Sequence, residues 1–224
     1  MEDRFDRSSF LDNVRRFRPE DDVASRWTAI YSAAIAVADS TCQHAALDGA
    51  RAAEVSRAAL YEVVLQSYLF LGFPRMLLAS EVLQSAWPSD EPRISQLRPI
   101  SEEEGQRWFS RGMELYTKVY DGNCALLQER VEGMAPEIFR WMVIEGYGKV
   151  LSREGLGVID RELAVVACLI IENYAPQLHS HMRGALNVGC SEHLLATVVE
   201  DLGVSAGPGY NTACGIMERL KTTE

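Results

Sequence analysis

The sequence predicts an all-α fold built from two related helical repeats. The segment 26–72 is rich in Ala and Leu and contains no proline, and alternation with a period of two residues is not sustained anywhere. Hydrophobic residues make up 47% of the 224 positions, which is enough for a substantial core. The segment 26–72 also aligns without a gap with residues 161–207, which indicates a diverged duplication.

The number of identical residue pairs in this alignment exceeds the roughly three pairs that chance would give at ordinary residue frequencies. We therefore expect a first, diverged repeat over residues 20–87 and a second, fuller repeat over 105–222. The linker 88–104 contains three prolines, which cannot continue a helix. Identities include Arg26/Arg161, His44/His179, Gly49/Gly184 and Gly72/Gly207.

Capping patterns in the sequence predict where two helices begin. Ser101 with Glu104 forms a capping-box pattern, which predicts a helix over 102–120. Asp160 is a candidate N-cap for the next well-defined helix, whose apolar run 163–171 indicates burial on every side. A buried strand is the alternative for that run, but neighbouring strand and hairpin signals are absent from the sequence.

Composition limits the function classes. The net charge is −10 and the sequence has no block of Lys and Arg, so nucleic acid is not an expected partner. The charged N-terminus "MEDRFDRSSF" and a longest apolar run of only nine residues predict neither a signal peptide nor a membrane span. We expect a soluble, cytoplasmic protein.

The cysteines and histidines do not suggest a metal site. An odd number of cysteines without a CxxC motif fits reduced, buried thiols, and the four histidines show no HxxxH or HExxH pattern. We therefore expect neither a metal nor an organic cofactor. The cysteines are Cys42, Cys124, Cys168, Cys190 and Cys214.

The stretch "PQLHSHMRGALNVG" contains the best candidate for a catalytic group. On a helix His179 and His181 project about 200° apart, so only one of them can face a small site. His181 shares its face with small residues, and Glu162 lies in the first turn of the preceding helix; a carboxylate beside an imidazole can transfer protons. The alternative is a Glu162 that complements the helix dipole and an interior, hydrogen-bonded His181. His179, like His44, is expected in packing or a subunit contact.

The segment "YGKVLSREGLGVIDRELAVVACLIIENYAPQLHSHMRGALNVG" resembles the carboxymuconolactone decarboxylase family, through its GL…REL signal and its H-x-R-G-A-L-N-x-G run. The first repeat resembles the family chiefly through "YEVVLQSYLFLGFPRMLLASEVL". The resemblance implies the all-helical fold shared with the alkylhydroperoxidase D group. It also implies self-association, as a dimer or trimer.

The resemblance places Glu162 and His181 on the proton-relay positions of the peroxidase branch. The CxxC cysteines of that branch are replaced by Tyr174 and Gln177 in the second repeat. In the first repeat Cys42 remains without its partner, so a peroxidase or redox function is a less favoured alternative.

The decarboxylase pattern is split between the repeats. The second keeps Glu162 and His181, as the implied catalytic pair, with Arg183 and Asn187, as implied substrate-binding residues. The first has Trp27 and Ala46 in place of the catalytic pair, but keeps Glu62 and Gln66 of the later substrate-binding helix, with Phe70 where a tyrosine is usual.

We therefore predict one composite pocket that combines Glu162, His181 and Arg183 with Glu62 and Gln66. In it, burial should raise the pKa of Glu162 or Glu62, whichever carboxylate is less well paired. The expected function is cofactor-independent decarboxylation of a small carboxylated lactone or related acid. Alternatives are the redox protein and a non-catalytic oligomeric binding protein.

Overall fold

The described residues are helical. The computed structural model describes residues 5–19, 21–89, 95 and 97–221, and this part of the chain contains no β-strand, which confirms the all-α prediction. Residues 20, 90–94, 96 and 222 of the predicted repeats and linker lie outside it. In chain order the α-helices are α1 Arg7–Arg15, α2 Val23–Val37, α3 Ser40–Ala52, α4 Arg57–Ala86, α5 Glu102–Tyr120, α6 Cys124–Met134, α7 Pro136–Trp141, α8 Val158–Glu172, α9 Ala175–Asn187, α10 Glu192–Leu202 and α11 Pro208–Lys221.

Helices α2 and α8 pack against each other at the centre of the molecule. Both are buried along most of their length, because their Ala, Ile, Val and Leu residues cover every side of the helix. Ser25 donates a hydrogen bond to Asp160 at 2.5 Å, and Ser32 donates to the carbonyl of Ala164 at 2.6 Å. One apolar core includes residues of both predicted repeats.

Helix bounds recur at the offset found in the sequence. The first residues of α8, α9 and α10 follow those of α2, α3 and α4, respectively, by the same number of positions that separates Arg26 from Arg161. The N-caps Ser56 and Ser191 each accept a hydrogen bond from the amide three residues on. Gly72 interrupts α4 at φ 75°, and Gly207 separates α10 from α11 at φ 57°.

Arginine contacts recur in the same way. Arg26 donates to Asp201 at 2.8 Å and to the carbonyl of Arg18 at 3.0 Å. Arg161, which the alignment pairs with Arg26, donates to Gln66 at 3.2 Å and to the carbonyl of Arg153 at 2.9 Å. Each arginine of one repeat therefore contacts the later helix of the other.

A second apolar cluster lies between the two aligned segments in sequence. It joins α5, α6 and α7 to the π-helical segment Met142–Leu151 that continues α7. Helix α5 spans the residues predicted for it, and Ser101 accepts a hydrogen bond from the amide of Glu104 at 3.1 Å as the capping box requires. The predicted start of α8 is corrected: its N-cap is Gly157, and Asp160 lies within its first turn.

Helix α4 is long and apolar enough, by length and composition only, to match a membrane-spanning helix. Its backbone is broken at Gly72, with Pro74 two residues later, and its first half buries Glu62 in ion pairs. These features divide α4 into two shorter helices that pack against α2, α3 and α8.

Candidate active site

Glu162 and His181 are in direct contact. His181 donates a hydrogen bond from Nδ1 to Oε2 of Glu162 at 2.9 Å, and the two residues are 2% and 6% exposed, respectively. The ring of Phe70 meets the imidazole edge-on at 5.3 Å between centroids. His181 Nε2 has no hydrogen-bond partner within the described part of the chain. The imidazole is thus oriented through one nitrogen and left open at the other.

A glycine permits this contact. Gly184 lies three residues after His181 on α9, and a Cβ there would come within 3.1 Å of Glu162 Oε2 and 2.7 Å of Val119 Cγ1. Helix α9 therefore approaches both α8 and α5 closely. The small-residue face predicted from the sequence serves this approach.

His181 lines a cleft of about 480 Å³. Aromatic and aliphatic side chains form most of its wall, while Glu145 and Gln177 contribute polar groups. The cleft is built from both predicted repeats, and no arginine or lysine is among the described lining residues. The lining consists of Tyr68, Leu69, Phe70, Tyr120, Ile138, Trp141, Met142, Glu145, Gly146, Tyr147, Leu151, Gln177 and His181.

Two tyrosines of the wall form a buried hydrogen-bonded pair. Tyr147 donates from its hydroxyl to that of Tyr120 at 2.9 Å. Burial raises the pKa of Tyr120 to about 12. The hydrogen bond from Tyr147 lowers this pKa, and the charge of Glu162 raises it. Burial likewise raises the pKa of Tyr147, with contributions from Tyr120 and Glu162. Both phenols therefore remain protonated donors at neutral pH.

The structure corrects the predicted places of Glu62 and Gln66. Neither lines the cleft: Glu62 accepts hydrogen bonds from Arg153 and Arg161 at 2.9 Å, and Gln66 bonds Arg161 through its oxygen and its nitrogen. Burial opposes ionisation of Glu62, but the two guanidinium groups outweigh burial and lower its pKa. Glu62 is therefore a well-paired carboxylate, to which the expected rise in pKa does not apply; its arginine partners were not visible in the sequence.

Arg183 and Asn187 also lie away from the cleft. Asn187 donates to the carbonyl of Val119 at 2.8 Å and so fastens α9 to α5. Arg183 and the half-buried His179 line a separate pocket, which shares Tyr120 with the cleft. The predicted composite of Glu162, His181 and Arg183 with Glu62 and Gln66 is not assembled, although Phe70 of the first repeat does reach His181.

The corresponding place in the first repeat is filled. Trp27 stands at the position equivalent to Glu162, is 4% exposed, and packs against Phe17 at 4.4 Å between centroids. A Cβ on Gly49, the equivalent of Gly184, would fall 2.1 Å from the Trp27 ring. The indole therefore takes the space that Ala46, in place of His181, leaves free.

Cys42 is poorly suited to redox chemistry. It is fully buried, and burial together with the neighbouring Asp39 raises its pKa to about 12, which keeps the thiol protonated. Cysteine, histidine and acidic side chains do not gather into a metal-binding group anywhere in the described residues.

Several cleft residues were missed by the sequence analysis. Tyr120, Trp141 and Tyr147 come from the segment between the two aligned stretches, which the repeat alignment does not cover. The aromatic pair Tyr116 and Tyr120, one helical turn apart, was the available signal. It is equally typical of a buried helix face, so it could not single out a site.

Comparison with known proteins finds a family match in the second half of the chain. Residues 136–219 match the Carboxymuconolactone decarboxylase family. Peroxisomal protein 2 of Saccharomyces cerevisiae is 21% identical over 160 residues, covering 61% of this chain and 56% of that protein. Peroxisomal protein 2 of Schizosaccharomyces pombe is 24% identical over 135 residues, covering 59% and 62%.

The chain therefore spans less than two thirds of either relative and is distantly related to both. The matched family segment runs from α7 to α11 and excludes Tyr68, Phe70 and Tyr120, which complete the cleft. The family match is confined to residues 136–219, which include both Glu162 and His181.

Proposed function

We propose that the cleft carries out proton-transfer chemistry of the decarboxylase kind on a small carboxylated lactone or related acid. The observation that carries the proposal is the Glu162–His181 contact at the wall of an apolar cleft, with Nε2 of His181 unpartnered in the described part of the chain. Glu162 orients the imidazole and balances its charge, and His181 moves the proton. The family match over residues 136–219 supports the same reaction class.

The side chains that line the cleft limit the class of substrate that it can bind. It offers aromatic surface and the paired hydroxyls of Tyr120 and Tyr147, but no arginine or lysine among its described residues. His181 is the one basic side chain among the described lining residues, so it can serve one carboxylate, whereas a second would lack a partner and would be costly to bury. We therefore propose a substrate with a single carboxylate on a mostly apolar, ring-sized body.

Decarboxylation fits this arrangement. When the C–C bond to the carboxylate breaks, CO₂ leaves and the electron pair passes to an adjacent unsaturated carbonyl of the substrate. A phenol held protonated, such as that of Tyr120, can donate a hydrogen bond to the oxygen that gains charge. A proton delivered from His181 to carbon then completes the reaction.

The test is release of CO₂ from a panel of unsaturated lactone and keto monocarboxylates. His181→Asn and Glu162→Gln should each lower kcat/KM by about 10²-fold or more, the usual contribution of positioned acid-base groups. His179→Asn, on the same helix but outside the cleft, is the matched control and should retain wild-type rates. Equal losses in His179→Asn and His181→Asn would contradict the proposal.

We also propose that the two repeats arose by duplication and that the protein self-associates as a dimer or trimer. The recurrent helix bounds and arginine contacts support the first proposal. Phe73, Leu77 and Trp141, which are 59%, 56% and 62% exposed, support the second. Light scattering that gives a mass of 25.0 kDa, that of one chain, would contradict self-association.

A reducing intracellular compartment is the proposed location. Free thiols at the described cysteines support it. The cytoplasm is the predicted compartment, and the name of the yeast relatives makes the peroxisome the alternative. Imaging of a fluorescent fusion beside a peroxisomal marker distinguishes the two.

A further inference from the structure

A second pocket opens beside α9, and it is distinct from the cleft. Its volume is about 280 Å³, somewhat below the ~300–1,000 Å³ of drug-sized sites. His179 and Arg183 of α9 face it, whereas His181 faces the cleft. Tyr120 lines both spaces and forms the wall between them. The two histidines of "LHSH" therefore serve two different cavities.

The rim of this pocket is cationic. Arg183 comes from α9 and Arg130 from α6, and neither guanidinium has an ion pair or hydrogen bond within the described residues. No acidic side chain is among the described residues that line the pocket. Burial, followed by the charges of Arg183 and Arg219, lowers the pKa of His179, which is consistent with a positive local potential. In a chain of net charge −10, two unpaired arginines in one pocket are an unusual arrangement.

The pocket also has an apolar part. Val119, Leu126 and Leu127 provide aliphatic surface in the same lining as the arginines, and Leu126 is 67% exposed. A small inorganic anion would pair with the rim but leave this surface in water. An anion with an apolar body would cover it as well, and each Å² of apolar surface removed from water contributes about 25 cal/mol.

We propose that this pocket binds an organic monocarboxylate, whose carboxylate accepts hydrogen bonds from Arg183 and Arg130 and whose apolar body lies on Val119, Leu126 and Leu127. Arginine suits this role, because its planar guanidinium can hold a carboxylate through two parallel hydrogen bonds. The site is separate from the proposed chemistry at His181 and does not depend on it. In this proposal Arg183 binds a carboxylate in this pocket and not in the composite site predicted from the sequence.

Titration of the full chain with hexanoate, followed by calorimetry and by the histidine ring resonances in NMR, tests the proposal. Hexanoate should shift the His179 resonance, and Arg183→Gln should weaken binding about tenfold, the effect of losing one charge-assisted hydrogen bond. Arg130→Gln, at an exposed position, should weaken it less and remain folded. Arg15→Gln removes one exposed positive charge far from the pocket and should bind like wild type.

Three results would overturn the proposal. Hexanoate that shifts the His181 resonance instead of His179 would place the anion in the cleft. Unchanged affinity in folded Arg130→Gln and Arg183→Gln would remove the arginines from the site. Inorganic phosphate that binds as tightly as hexanoate would show that the apolar part of the pocket plays no role.

Discussion

The two predicted repeats hold different side chains at aligned positions: an acid-base pair in the second and buried core residues in the first. In the second, Glu162 and His181 form a hydrogen-bonded pair at the wall of a cleft. In the first, Trp27 occupies the equivalent space, and Ala46 stands where the histidine would be. A glycine at the same helix position, Gly49 or Gly184, provides the room in both. The backbone therefore permits a site in either repeat, and two side chains decide whether the space holds polar groups or core.

The same comparison holds for the buried arginines. Arg26 bonds the carboxylate of Asp201, while the equivalent Arg161 bonds Gln66 and takes its charge partner, Glu62, from one turn earlier on α4. Each arginine links α2 or α8 to the later helix of the other repeat. Glu62 and Gln66 are thus structural residues that fix the relative position of the repeats, and the cleft between them depends on that position.

Removal of the tryptophan should have the largest effect on stability. Trp27→Ala should lower the free energy of unfolding by about 4 kcal/mol, because it leaves a cavity in a core that cannot close over it. Denaturant unfolding followed by circular dichroism measures the change. A cost below about 1 kcal/mol would mean that the first repeat holds an open pocket, as the second does, rather than packed core.

Loss of the Glu62 charge should have the second-largest effect on stability. Glu62→Gln leaves Arg161, 1% exposed, without its carboxylate and should cost about 3 kcal/mol at pH 7. Thr197→Val, at the equivalent position of the second repeat, should change stability by no more than about 0.5 kcal/mol, since its hydroxyl bonds only its own helix. Equal effects of the two substitutions in urea unfolding would contradict the assignment.

Acidification should reduce the contribution of Glu62 to the free energy of unfolding. The pKa of Glu62 is lower in the folded protein than its ordinary value of 4.5, so its contribution is complete above pH 4.5 and is lost as the pH falls through the folded value. The difference in unfolding free energy between wild type and Glu62→Gln should therefore shrink below pH 4.5. A difference that grows on acidification would show that Glu62 is not held ionised by its arginines.

A methyl group at Gly184 should have the smallest of these effects on stability. Gly184→Ala places a Cβ against Val119 and Glu162 and should cost about 2 kcal/mol. Gly133→Ala, on α6, meets nothing within 4 Å and should stabilise the protein by up to about 1 kcal/mol through helix propensity. Thermal unfolding of both variants distinguishes the cost of the close contact at Gly184 from the gain in helix propensity that alanine gives. A stabilised Gly184→Ala variant would rule out the close approach.

The sequence predicted those parts of the fold that depend on local patterns. The capping box at Ser101 located α5, and the spacing of Glu162 and His181 on successive helices was enough to propose their contact. Residues that act across the fold could not be placed. Glu62 meets Arg161, 99 residues away, and Tyr120 reaches the cleft from a segment outside both the aligned stretches and the matched family region. Reciprocal differences between the two aligned segments suggested one shared site, whereas the structure has packed core around Trp27 at the position aligned with Glu162.

The central claim is that each chain has one chemically competent cleft, at His181, and that the equivalent space in the first repeat is closed. A crystal structure of the protein soaked with an unreactive aromatic monocarboxylate tests it most directly. The ligand should lie in the cleft between Tyr147 and His181, within hydrogen-bond distance of Nε2, while the Trp27 ring stays packed against Gly49. A cleft that remains empty, or a ligand that displaces Trp27 and binds beside Ala46, would contradict the account.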